Sequence, residues 1–545
     1  YGDVMLNFNY NIRRFDIAAT LGWTGRYENM NNMRVSTNGG LVTENWFDLN
    51  ASRYTASSTL QRMELLKTGY MGTLSLGWDN YLFLELTGRQ ERSSTLKDQS
   101  FFYPSANLSF LFSNAFRMPA WWNHGKLRLS YGVVGNAPET YAANIIYEQG
   151  SDNGFTWNYV PSSWGNANIR PEKKYEYEIG FESKFLNNRL GFDVSYYNNR
   201  VKDQILSTPQ PSTSGVKYVL MNVGEVANEG WDISVSATPV LTKNFRWDLT
   251  ANYGIYRNKV VKLADGVPYL EISNIGGGGA KIQAVEGRPM GDIYVQVPQM
   301  NENGEYLVSD KGLYMNQTEL QRVGNINPDG VGGLFSSFSY KNIFLDFSID
   351  FRIGGDVINE MYQYSTASGL TPESLQFRDT EHGGLSYYYP GNNNASGVPV
   401  QVDPSLGAGP NGETVYHDGV ILPGVVASTG EKNTRIIPAG YYYNQTYNWG
   451  TQPEQLTYRH SVFDNSYVKL RELTIGYQFP EKLISKLGMT RLSVSVFGRN
   501  LFYFYKALKN YDAESSVGTS WASQAVVGGS TTATRNFGVS LRASF

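Results

Sequence analysis

The residues of this 545-residue chain best suited to proton transfer or metal binding are four histidines, His124, His382, His417 and His460. They are scattered through segments that read as turns or loops, and none sits in an H-E-x-x-H or comparable ligand spacing. Cysteine is absent, which excludes a thiolate metal site and a disulfide framework. The glycine run Gly276–Gly279 is followed by neither Lys-Ser/Thr nor a helix, so it reads as a flexible loop rather than a phosphate cradle. Asn301–Gly304 lacks the acidic ladder of a calcium loop and reads as a hairpin turn. No catalytic constellation emerges. The expectation is a non-enzyme with no cofactor and no metal.

Aromatic side chains offer a different chemistry. They make up 14% of the chain, with 39 Tyr and 11 Trp. Tyr387, Tyr388, Tyr389, Tyr441, Tyr442, Tyr443 and Trp449 fall in one long segment, 354–465, Trp157 and Trp164 in another, and Trp521 near the last. Exposed rings among Asn and Gly suit stacking on sugars or contact with a partner protein. The competing reading is a loop that packs on itself. A segment of this length is usually functional or locally folded.

Between these segments lies period-two alternation. In 343–353 the odd positions are Ile343, Leu345, Phe347, Ile349, Phe351 and Ile353, separated by Phe344, Asp346, Ser348, Asp350 and Arg352. Phe245, Trp247, Leu249, Ala251, Tyr253 and Ile255 repeat the pattern. About 15 such strands are expected, near 4–11, 14–25, 69–78, 80–90, 102–113, 125–134, 173–186, 188–201, 226–238, 243–257, 331–340, 342–353, 466–479, 489–500 and 533–545. In 466–479 the phase changes, which predicts a bulge near Arg471–Glu472. Short connections such as Asp79-Asn80, Asn187-Asn188, Leu241–Lys243 and Lys341-Asn342 alternate with long ones, 26–68, 135–172, 202–225, 258–330, 354–465 and 501–532.

That alternation fits a transmembrane antiparallel β-barrel, with short periplasmic turns and long extracellular loops, better than a soluble sandwich. No run approaches 18 apolar residues, and mean hydropathy is −0.37, as expected when half of each strand faces lipid and half a polar lumen. Net charge is −3, with no basic footprint for nucleic acid. Arg246, Asp248, Asp346, Asp350, Arg352 and Arg542 all sit at lumen parity, away from lipid. The last strand closes on Phe537, Val539, Leu541, Ala543 and Phe545, which resembles the C-terminal assembly signal of outer-membrane barrels. It places the C-terminus in the periplasm and Tyr1 on the extracellular side. Single-chain bacterial barrels have an even strand number, and an open edge in lipid is not viable. The chain also opens at Tyr1 with neither Met nor signal peptide. The expectation is therefore that residues 1–545 are the C-terminal part of a plugged barrel of about 22 strands, or one half of a split barrel.

Several stretches resemble the SusC/RagA family of TonB-dependent transporters of Bacteroidetes. They are Leu127–Gly135 (LRLSYGVVG), Arg170–Leu206, Asn222–Pro239 (NVGEVANEGWDISVSATP), Gly332–Val357, Tyr467–Pro480 (YVKLRELTIGYQFP) and Phe497–Phe502 (FGRNLF), spread over nearly the whole chain. The resemblance implies active import of oligosaccharides or oligopeptides across the outer membrane. A surface lipoprotein of the SusD type would cap the barrel, the TonB–ExbB–ExbD complex would supply energy through an N-terminal segment, and transporter–lid pairs would associate as dimers. The carboxylates at lumen parity, such as Glu176, Glu178 and Glu182, read either as acting in pairs or, the favoured expectation, as bonding to plug residues or water. Residues 1–545 are expected to lack the plug and the TonB-contacting segment that such a transporter carries. A passive porin and a surface adhesion protein are the alternative readings.

Overall fold

The computed structural model describes residues 1–97, 100–152, 155–447, 458–529 and 533–545. The chain divides into two units, Tyr1–Val235 with Asn258–Pro268, and Ser236–Arg257 with Tyr269–Phe545.

The first unit carries β1 (Gly2–Ile12), β2 (Phe15–Leu41), β3 (Ser52–Trp78), β4 (Leu82–Ser93), β5 (Ser100–Phe110), β6 (Trp122–Asn136), β7 (Glu172–Phe185), β8 (Leu190–Pro209) and most of β9 (Tyr218–Leu241). The second holds the end of β9, most of β10 (Phe245–Lys262), β11 (Gly330–Tyr340), β12 (Ile343–Ile353), β13 (Tyr467–Gln478), β14 (Arg491–Lys506) and β15 (Asn536–Ser544). These fifteen strands are ordered in the sheet as they are in the chain. Tight turns set the hairpins. Asp79 and Asn80 take φ of 49° and 56°, and Asn187 and Asn188 take 57° and 62°, the left-handed region that Asn and Asp tolerate best.

Register turns alternation into rows. In the first unit Tyr10, Ile17, Leu76, Leu84, Leu108, Leu129, Ile179 and Tyr196 are direct cross-strand partners from β1 to β8. One residue along each strand runs the row Asn9, Ala18, Ser75, Glu85, Asn107, Ser130, Glu178 and Tyr197, on the opposite face. The second unit repeats the arrangement with Trp247, Phe338, Leu345, Ile475, Val496 and Val539 in one row, beside Asp248, Ser337, Asp346 and Thr474. Leu129, Ile179, Ile475 and Val496 are about half exposed, so the apolar rows lie bare rather than against a second layer. At the short-turn end of the first unit eight rings run in contact: Phe15, Trp78, Tyr81, Phe110, Phe112, Trp122, Phe185 and Phe192, with neighbouring centroids 5.2 to 6.4 Å apart. Such a band matches the aromatic girdle at a membrane interface.

The expected bulge is present. Ser348 pairs with Glu472 and Ile349 with Leu470, which leaves Arg471 as the extra residue. Other expectations need correction. The segment 26–68 is largely strand, because β2 and β3 run on as a paired ribbon to Leu41 and Ser52. Beyond the sheet neither face of that ribbon is buried, so alternation carries no signal there while the backbone ladder continues. His124 lies inside β6, not in a loop, and its Nε2 approaches Glu182 at 3.6 Å. The alternation of short and long connections also has an exception. The β4–β5 connection spans only 94–99, whereas β5–β6 spans 111–121 and includes a short helix, Phe112–Ala115, within the ring band.

The rows make a direct prediction. Leu129→Lys places a charge in the bare apolar row and should lower stability in a bilayer by about 2–4 kcal/mol. Ser130→Lys, one residue away on the polar row, should cost less than about 1 kcal/mol. Denaturant titrations of the full-length protein folded into lipid vesicles would check this, and equal losses would contradict the assignment of faces.

Candidate ligand-facing loops

In the first unit the β6–β7 connection forms a hairpin of Glu148–Asp152 against Phe155–Tyr159. Phe155, Trp157 and Tyr159 alternate along one strand and so share a face, and they are 77%, 48% and 44% exposed. Trp164 sits apart on a two-residue strand that pairs in parallel with β9, opposite Val219. It is half-buried. A cleft of about 600 Å³ lies nearby, with Tyr27, Glu64, Leu66, Lys97, Tyr141 and Asn144 among its walls. Tyr141 is held at φ 66°, where a bulky side chain costs roughly 1–3 kcal/mol, and its hydroxyl accepts the Glu64 N–H at 3.2 Å.

The long connections of the second unit fold into small cores of their own. Two helices, α1 (Glu360–Ala367) and α2 (Ala439–Tyr447), pack together, and the Asn359 side chain caps α1 by accepting the Tyr362 N–H. Asn and the following Glu360 suit a helix N-terminus, where an oxygen meets free amides and the macrodipole favours an acid. Ile275, Ile282, Ile293, Val295, Ile358, Tyr458 and Val526 form one buried cluster, and Leu313, Val420, Leu422 and Ile437 another. Gly276–Gly278 is the turn between two strands of this region, with Gly276 and Gly278 at φ 58° and 110°, and Asn301–Gly304 is a hydrogen-bonded turn.

The tyrosine clusters divide between these environments. Tyr387 is 1% exposed, stacks on Tyr416 at 5.5 Å and donates its hydroxyl to Asp418 at 3.1 Å. Tyr443 is 3% exposed, donates to the Glu373 carbonyl at 2.8 Å and lies beneath the Arg378 guanidinium. Both rings are enclosed by protein and present no face to a ligand. Tyr388 and Tyr389 are half-buried, and Tyr441 and Tyr442 pack on the edge of the Leu313 cluster. Burial pushes the Tyr442 and Tyr447 hydroxyls well above the ordinary tyrosine range, with neighbouring tyrosines adding to it, so neither ionises near neutrality. Trp521 is 38% exposed and lies over Gly291, where a side chain would collide with the indole. Trp449 lies outside the described residues.

Sequence reasoning missed one cluster. Lys469 is only 2% exposed, and its Nζ meets the Glu514 Oε2 at 2.5 Å. Arg471, the bulge residue, donates to Glu514 at 2.6 Å, to Asn500 at 2.8 Å and to Asp350 through Nε at 3.0 Å. Tyr503 donates to Asp512 at 2.5 Å. The β14–β15 connection is thereby tied to the strand wall through two carboxylates. The phase break at Arg471 was visible in sequence, but nothing there indicated that Glu514 would return to it.

The fold agrees with known proteins. The family model for "TonB dependent receptor-like, beta-barrel" matches residues 1–293, more than half of the chain, and the chain belongs to that family of outer-membrane barrels. Among relatives, TonB-dependent receptor P3 of Formosa agariphila is 22% identical over 82% of this chain and 42% of its own length. TonB-dependent receptor SusC of Bacteroides thetaiotaomicron is 27% identical over 41% of this chain and 24% of its own length. The RagAB peptide transporter structure superposes with a TM-score of 0.71 at 18% identity, covering 98% of this chain and 54% of that one, which establishes the likeness of fold. The resemblance to SusC/RagA barrels is thus borne out. The chain spans about half the length of the solved structure, and less than half that of these curated relatives.

The anchor predicts a pH response. Burial opposes ionisation of Glu514, but hydrogen bonds from Arg471 and Lys469 outweigh it and hold the carboxyl below its usual value. A depressed acid contributes stability above its unfolded pKa, about 4.3, and loses it as pH falls through the lower folded value. Glu514→Gln should reduce hydrogen-exchange protection of the segment around Glu514 at neutral pH by about thirty-fold, or about 2 kcal/mol after allowance for its partial exposure. Wild type should reach that state only below about pH 4.3. Unchanged protection in the variant would mean that the ion cluster does not hold the loop.

Proposed function

We propose that this chain is the C-terminal part of the barrel of an active outer-membrane importer, energised through TonB, that takes up an oligosaccharide or oligopeptide together with a SusD-type surface lipoprotein. The observation that carries this reading is the division of whole rows of side chains, apolar on one face and polar on the other, in a chain of the TonB-dependent receptor family. The apolar face suits lipid and the polar face a hydrated lumen. The long connections would then be extracellular and the C-terminus periplasmic, and the half-exposed aromatics of those connections would meet the cargo or the lid.

The remaining strands and the plug would come from sequence outside residues 1–545. Among the described residues β1 pairs only with β2, and β15 only with β14. Strand edges exposed in lipid cost several kcal/mol per unsatisfied group, so further strands must close them. The intact mass of every polypeptide in the complex purified from native outer membranes tests this. A chain longer than 545 residues, or a second barrel-and-plug fragment beside this one, is expected; a 545-residue chain alone would sink the importer reading.

Uptake separates the mechanisms. Deletion of the gene should abolish uptake and growth on one class of oligomeric nutrient, and loss of TonB should do the same. Uptake that persists without TonB would establish a passive porin, and wild-type growth after deletion would point to an adhesion or structural role.

A further inference from the structure

In the first unit β2 and β3 continue past their neighbours as a two-stranded arm. The last rung shared with β1 is Gly2–Gly25, and with β4 it is Lys67–Ser93, while β2 and β3 stay paired to Leu41 and Ser52. Where β4 ends, the Ser94 N–H donates to the Leu66 carbonyl at 2.9 Å, and the Ser94 Oγ accepts the Leu66 N–H at 3.0 Å. Backbone groups alternate in direction along a strand, so Glu64, Arg62 and Leu60 direct their N–H and C=O groups to the same side as Leu66. There the Glu64 N–H is covered by a side chain, the Tyr141 hydroxyl at 3.2 Å, and among the described residues no strand pairs along this edge. The edge borders the cleft of about 600 Å³, whose walls bring together Glu64 and Lys97 of opposite charge, the rings of Tyr27 and Tyr141, and the polar Thr95, Thr140 and Asn144.

We infer that the β3 edge from Leu60 to Glu64, with this cleft, is a subsite for an extended oligopeptide that adds to the arm as a third strand. The inference rests on the import reading and narrows its substrate class. Amide donors and carbonyl acceptors recurring at every second residue, about 6.8 Å apart, match the repeat of an extended peptide backbone. A sugar chain has no such alternation of fixed donors and acceptors. The opposite charges in the walls suit the side chains or termini of a zwitterionic ligand. The Tyr141 contact is at the long limit for an N–H···O bond, so an incoming peptide carbonyl replaces it at little loss. A two-stranded ribbon is marginal in water, and a third strand stabilises it.

Hydrogen exchange on the complete complex, purified from native membranes, tests the subsite. The probes are a pool of random-sequence octapeptides, the same pool N-methylated at every residue, and a mixture of malto-oligosaccharides. The peptide pool should slow exchange of the Leu60, Arg62 and Glu64 amides by at least ten-fold, and neither other probe should do so, because a methylated amide cannot donate to a ladder. No slowing by the peptide pool, equal slowing by the methylated pool, or slowing by the sugars would overturn the assignment. Protection already complete before any probe is added would overturn it too, by giving the edge to a protein partner. TonB-dependent uptake in the deletion strain is read separately, so a failed subsite leaves the import reading standing, and a failed import reading shows as uptake that ignores TonB.

Discussion

Everything in this chain is subordinate to the pairing of backbone N–H and C=O groups between strands. In hydrocarbon there is no water to satisfy them, and each one left unpaired costs several kcal/mol. A chain that crosses lipid as strands must therefore place each strand between two others. The simplest solution is the one seen, fifteen strands laid down in chain order, antiparallel in succession from β1 to β8 and from β10 to β15. Tight turns set most of the hairpins at one end of the strands, and most of the length available for other chemistry lies in the connections at the other end.

Once the ladders set register, side-chain chemistry sorts itself by parity. The rows through Leu129 and Ile179 and through Ile475 and Val496 carry no charge, while Glu85, Glu178, Asp248 and Asp346 lie one residue away on the other face. The polar face satisfies its own charges where it can: Arg128 bridges Asp193 at 2.7 Å, and Arg246 bridges Asp248 at 2.5 Å. The same logic places the bulge. Arg471 would face the wrong way in an unbroken ladder, and the extra residue turns its guanidinium toward Asp350 and Glu514. A local break in periodicity thus becomes the point at which a long connection is tied down.

Those connections are not passive cover. The longest in the second unit build buried clusters around Ile282, Ile293 and Tyr458, and around Leu313 and Ile437, with two short helices among them. Their aromatic richness serves two purposes at once. Tyr387 and Tyr443 are interior packing residues with satisfied hydroxyls, whereas Phe155, Trp157 and Tyr159 in the first unit hold their rings in solvent. Residue type is the same in both cases, and the environment alone separates a core ring from one that can meet a ligand.

Sequence by itself determined the fifteen long strands that follow one another in the main sheet, most of their positions in the membrane-facing region, the bulge at Arg471 and the family. The physical reason is that burial against lipid on one face imposes a period of two that survives in a single sequence. It determined less where both faces of a strand are alike. The ribbon of β2 and β3 beyond Gly25 and Lys67 shows no alternation to mark it as strand, and His124 lies just outside the alternating run of β6. Only tertiary structure decided which tyrosines are enclosed, that Glu514 returns to Lys469 and Arg471, and that the β3 edge stands open beside Tyr141. Those facts depend on contacts between residues far apart in the chain, and no local spacing encodes them.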